Sequence, residues 1–106
     1  MIFEPALELA DEIQKTKNLI MDNPKDKKKQ KYKTQISDML KKLKHQGYRV
    51  KSFDGKKVKR KHELIIENMP ADEPDVIGAK IKKTVKPEVK FNGRIIQKAH
   101  VEINIR

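Results

Sequence analysis

The spacing of apolar residues along the chain changes near residue 47. Before it, Ala6, Leu9, Ile13 and Ile20 recur at helical intervals, and Tyr32, Ile36, Met39, Leu40 and Leu43 form a second stripe of the same period. Two amphipathic helices follow from this pattern, joined as an αα-hairpin over residues 5–46. Pro5 suits a first-turn position, and the acids Glu4 and Glu8 favour the positive end of the first helix dipole. Asp22-Asn23-Pro24 ends that helix. Asn23 is then expected to cap the second helix, with Pro24 at its first position and Gly47 as its stop. An acidic first helix and a basic second one attract as they pack.

Past Gly47 the period shortens to that of strands. Residues 48–53 and 56–67 flank Asp54-Gly55, and Val58, Leu64 and Ile66 share one parity, which predicts a β-hairpin over 48–67. Residues 68–76 hold two prolines and several acids and read as an exposed loop. A second hairpin over 84–105 is predicted around Asn92-Gly93, with Val101, Ile103 and Ile105 alternating as a half-buried strand. Pro87 donates no ladder bond, so it belongs at an edge or a bulge. The order α-α-β-β-β-β predicts one α+β domain over residues 1–106: the helical hairpin covers one face of a small antiparallel sheet of about four strands, and the other face is wet and lysine-rich.

At 106 residues and 36% apolar content, one modest core is expected. Charge alters the picture more. Formal charge runs −3 over residues 1–23, +13 over 24–61, −5 over 62–76 and +6 over 77–106, a net +11 that favours polyanionic partners. Only Arg49, Arg60, Arg94 and Arg106 are arginines. Lysine is a point charge without the guanidinium fork, so phosphate is a better match than a base edge.

Two groups of cations stand out. Lys25, Lys27, Lys28, Lys29, Lys31 and Lys33 crowd the expected start of the second helix, where the macrodipole is already positive and Asp26 offsets only part of the repulsion. A bound anion would relieve it; a solvated lysine run is the plainer alternative. Arg49 and Lys51 lead into the first hairpin turn, and Lys56, Lys57, Lys59, Arg60 and Lys61 lead out, with Lys57, Lys59 and Lys61 on one face by alternation. Such a ribbon suits a groove or a phosphate backbone, although exposed strand lysines also guard edges. With Lys41, Lys42 and Lys44 on the preceding helix, these residues are expected to form one continuous basic surface. Tyr48, and with less weight Phe53, are candidates for stacking on an unpaired base, the alternative being that they complete the core.

Other chemistries find little support. With no Cys there is no disulfide, zinc-thiolate site or thiol nucleophile, and His45, His62 and His100 are too dispersed to mark a metal site. Glycine-rich phosphate loops and nucleophile elbows are missing, so no cofactor or metal and no enzymatic activity are expected. Five aromatic rings are too few for an RRM-like platform. No apolar run approaches ~20 residues and the first residues lack signal-peptide features, so a cytoplasmic protein without membrane contact is expected.

Two short resemblances bear on function. Pro74-Asp75 followed by Glu88-Val89-Lys90 is similar in form to the PD-(D/E)xK nuclease pattern. That resemblance implies Asp75 and Glu88 as metal ligands and Lys90 as a helper of the attacking water. It covers five residues, which loop solvation and a cross-strand pair explain more simply. Two helices followed by a basic hairpin are also loosely similar to a winged-helix arrangement, but the third helix needed for groove reading is not evident. Neither resemblance assigns a family. The expectation is a small, non-catalytic nucleic-acid-binding protein that contacts backbone phosphate with weak or shape-based specificity, DNA being slightly preferred over RNA. Its rival is an assembly or accessory factor that binds an acidic protein, and a homo-oligomer is compatible with both. The acids Asp72, Glu73 and Asp75 are read as solvated loop or as a docking contact.

Overall fold

A computed structural model describes residues 2–69 and 75–104. Helix α1 spans Glu4–Asp22 with Pro5 in its first turn, and helix α2 spans Lys29–His45. The second helix therefore starts five residues after Pro24. Asn23 serves the preceding helix instead: its backbone N–H and its side-chain Nδ2 both donate to the Leu19 carbonyl, at 3.0 and 3.2 Å. Asp26 accounts for the delayed start, because its carboxylate accepts the Lys28 N–H at 2.8 Å and its carbonyl accepts the Lys29 N–H at 3.1 Å. These bonds hold turns where helix was expected.

The predicted Asn92-Gly93 hairpin is the spine of the β layer. Its arms are β3 (Ile81–Lys86) with β4 (Glu88–Phe91), and β5 (Arg94–Gln97) with β6 (Ala99–Ile103). Asn92 and Gly93 take φ of 48° and 85°, the two positive values that a type I′ turn requires. β4 pairs with β5, and β3 pairs with β6. The arms break at Pro87 and Lys98, with irregular register on either side. Pro87 is buried at the break, where its carbonyl accepts Gln97 Nε2 at 2.9 Å. Val101 and Ile103 are buried as their alternation predicts; Ile105 lies outside the described residues.

The expected hairpin over 48–67 does not form. Strand β1 (Tyr48–Lys51) pairs antiparallel with β4, in register Tyr48↔Phe91 to Lys51↔Glu88. Residues 53–58 continue along β3: the Gly55 N–H donates to the Ile81 carbonyl at 2.9 Å, the Ile81 N–H to the Lys56 carbonyl at 2.7 Å, and the Val58 N–H to the Ala79 carbonyl at 2.9 Å. Strand β2 (Leu64–Ile66) then pairs parallel with β6. The result is two three-stranded sheets, β1-β4-β5 and β2-β6-β3, in place of one sheet of about four strands. Asp54-Gly55 does make a turn, with Lys56 N–H donating to the Phe53 carbonyl at 3.1 Å. The Asp54 carboxylate also accepts the Thr84 N–H at 2.7 Å. That bond fastens the turn to β3, so the chain is deflected along the spine without folding back on itself.

Burial divides into two clusters where one core was expected. The first joins Ala6, Ala10, Ile13, Ile36, Leu43, Tyr48 and Val89, placing the helical hairpin on the β1-β4-β5 sheet. The second joins Val58, Val76, Ile81, Ala99, Val101 and Ile103, with Leu64 and Ile66 packed against it. Val58, Leu64 and Ile66 thus share an inside face although their strands have other partners. A partly buried polar relay ties α1 to the β layer: Ser52 Oγ donates to Gln14 Oε1 at 2.6 Å, Gln14 Nε2 to Asn18 Oδ1 at 3.1 Å, and Asn18 Nδ2 to the Thr84 carbonyl at 3.0 Å. Gln14 and Thr84 are 1% and 0% exposed, so these bonds satisfy groups that water does not reach. Among the described residues, no helix is long and apolar enough to cross a membrane.

Candidate nucleic-acid interface

Strand alternation sorts β1. Tyr48 and Val50 pack toward the helices, whereas Arg49 and Lys51 are exposed on the opposite face. Pairing with β4 places Lys90 directly across from Arg49. Like charges in that position repel. The buried Glu88 carboxylate, 3.9 Å from Lys90 Nζ, answers only one of the two.

Beyond Lys51 the same edge opens into a hollow of about 520 Å³, lined by Lys51, Phe53, Lys56, Lys57, Lys59, Arg60, Glu63 and Leu64. Its shape follows from local constraints. Gly55, at φ 77°, permits the tight turn. Thr84 Oγ1 accepts the Phe53 N–H at 2.9 Å, and Val58 is anchored in the second core, so the lysines between and beside these residues project from a fixed backbone. A 3₁₀ turn at Lys61–Glu63 brings round Glu63, and Leu64 follows it. The half-buried Phe53 ring has Lys51 Nζ 5.0 Å and Lys56 Nζ 5.5 Å from its centroid, a double cation–π arrangement. Five cations thus face one acid. Glu63 is spent on Arg60 Nη1 at 3.3 Å, and among the described residues the four lysines form no ion pair. A concave surface lined by one sign of charge focuses its field on an approaching anion.

Several sequence expectations change here. Lys57 and Lys59 were expected to share a face with Lys61 by alternation, but residues 56–60 form no regular strand, with Lys57↔Lys80 an isolated bridge there. Lys56, Lys57, Lys59 and Arg60 consequently meet in the hollow whatever their parity. Lys61 opens the 3₁₀ turn, its side chain lying outside the described residues. Tyr48, the first choice for base stacking, is 7% exposed, with its ring centroid 6.5 Å from that of Phe3 and 4.8 Å from that of Phe91. It is a core residue, and Phe53 is the ring that borders the lysines.

The other cation group stands apart. Lys25, Lys27, Lys28, Lys31 and Lys33 are exposed and Lys29 half-buried at the turn and first coils of α2, and Lys41 and Lys44 are exposed further along it. The α2 N-terminus has no acid in its first turn and no side-chain cap at Lys28. These residues belong to the helical layer, on the far side of the β1-β4-β5 sheet from Arg49 and Lys51. No side-chain hydrogen bond or ion pair among the described residues connects the two groups. Arg49 and Lys51 lie on the opposite face of this sheet from the helices, because β1 alternation directs them away from the helical layer.

The nuclease-like residues do not converge. Asp75 accepts the Ile77 N–H at 3.0 Å beside the second core, whereas Glu88 sits in the first sheet next to Lys90. No group of three or more His, Asp or Glu residues among the described ones is placed to hold a metal. Asp72 and Glu73 lie outside the described residues. Two cations were missed, Lys80 across from Lys57 and Lys90 across from Arg49; both become neighbours through pairings of distant segments, which residue type does not encode. Comparison with known families, curated proteins and solved structures gave no match.

Proposed function

We propose that this chain is a non-catalytic nucleic-acid-binding protein that holds backbone phosphates in the Lys51–Arg60 hollow and on the adjoining Arg49 and Lys90 face. The observation that carries the reading is the five-to-one excess of cations over acids in one concavity. Each phosphate neutralised there releases condensed counterions, a gain that does not depend on base sequence. Specificity is weak, because a lysine-dominated lining lacks the fork that reads guanine edges. DNA is slightly preferred over RNA, as the chain lacks the ring clusters and glycine loops of common RNA modules. The lysines of residues 25–33 supply a second, weaker contact on the other layer.

A rival reading, docking of an acidic protein, draws on the exposed apolar side chains Leu19 and Met21 near the end of α1. Titrating salt against binding to duplex DNA, single-stranded DNA and RNA separates the two. Phosphate binding gives a linear fall of log K with log salt, at about −0.9 per contact on duplex and about −0.7 on single strands. A flat dependence for all three polymers refutes the nucleic-acid reading.

A further inference from the structure

Resting on that reading, we infer that the hollow's ligand is a single-stranded segment, with one unpaired base seated on Phe53 and its flanking phosphates on Lys51, Lys56 and Lys57. Phe53 is held in place on two sides, its amide bonded to Thr84 Oγ1 at 2.9 Å and its ring packed against the second core. The remaining ring surface faces a recess of about 520 Å³, with Leu64 as a further apolar wall. Phosphate recognition alone needs no recessed apolar floor, and a base inside a duplex, stacked on both faces, cannot enter one. Without a ligand the ring is covered by Lys51 Nζ and Lys56 Nζ at 5.0 and 5.5 Å. Two exposed cation–π contacts together contribute a factor of roughly 5 to 25, and a stacked base roughly 5 to 150. The stacked base thus offsets the two lost contacts, and the released ammonium groups gain phosphates on either side of it, which tips the exchange toward the nucleic acid.

The chain contains no Trp, so Phe53→Trp introduces a single fluorescent reporter at the proposed seat. Titrating this variant with oligo(dT), oligo(U) and a duplex of matched length, with binding followed separately by anisotropy of labelled oligomers, tests the inference. The expected result is indole quenching that tracks binding of the single strands and is absent with duplex. Phe53→Leu, which keeps apolar volume but removes the π face, is expected to weaken single-strand binding about 5-fold or more, and by more than it weakens duplex binding. Single-strand binding without quenching in the Trp variant, or unchanged affinity in a folded Leu variant, overturns the stacked base while leaving phosphate binding intact. Absence of salt-dependent binding to all three polymers overturns both.

Discussion

Replacing Lys57 and Lys59 together by Ala removes two of the five cations in the hollow. Both side chains are exposed and flank the buried Val58, so the second core is untouched, and surface changes of this kind usually shift stability by no more than about 0.5 kcal/mol. The affinity effect follows from counterion release. If each lysine contacts one phosphate, the single-strand salt slope becomes shallower by about 1.4, and the duplex slope by about 1.8. Relative to 1 M salt, binding at 0.1 M then falls about 25-fold on single strands and about 60-fold on duplex. Anisotropy titrations at four or five salt concentrations measure both quantities, with circular dichroism checking the fold. The control is Lys27→Ala with Lys28→Ala, which removes the same formal charge from the helical layer and is expected to cost several-fold less. Equal losses in the two double variants would show that net charge alone, and not the hollow, sets affinity; an unchanged slope in the Lys57/Lys59 variant would show that these residues contact no phosphate.

Glu63→Gln removes the hollow's acid and frees Arg60, so nucleic-acid affinity is expected to rise a few-fold; because the Arg60–Glu63 pair is largely exposed, urea unfolding is expected to change by less than about 1 kcal/mol. Thr84→Val strands the Phe53 N–H inside the protein and is expected to cost about 1–3 kcal/mol in urea unfolding, with Thr84→Ser recovering most of it; a neutral Val variant would mean that this bond does not hold the ring in place. Gly55→Ala places a side chain at φ 77° with nothing within 4 Å of the added carbon, so the expected loss of about 1–2 kcal/mol in thermal unfolding is backbone strain without a clash.

Legibility in the sequence tracked the range of the interactions. Both helices were readable because Ile13, Ile36 and Leu43 recur at a period set within each segment. Asn92-Gly93 announced its turn because the two positive φ values are a property of those residues themselves. Asp54-Gly55 carries nearly the same signal and misled, since the outcome there depends on Thr84, thirty positions away, offering its N–H to the Asp54 carboxylate. The delayed start of α2 was missed for a local reason: Asn23 spends its amide on the Leu19 carbonyl behind it, and Asp26 takes the Lys28 N–H into a turn. For the candidate site, the abundance of lysine between residues 51 and 60 was plain from composition. Their meeting in one hollow, the burial of Tyr48 and the separation from the helical lysines depend on strand partners and faces, which are settled only when β1 finds β4.

The docking of residues 53–58 against β3 has a consequence for the order in which the molecule comes apart. This seam gathers ammonium groups that repel one another, and its backbone bonds to the rest of the described chain run to residues 78–81. Proteins open first where cohesion is least. Deuterium is accordingly expected to enter at Gly55 and Val58 ahead of the amides of β6, which lies between two partner strands, and amide exchange followed residue by residue checks this. If polyanions occupy the hollow as proposed, added polyphosphate is expected to slow that uptake, so that occupancy would register as added protection at these amides.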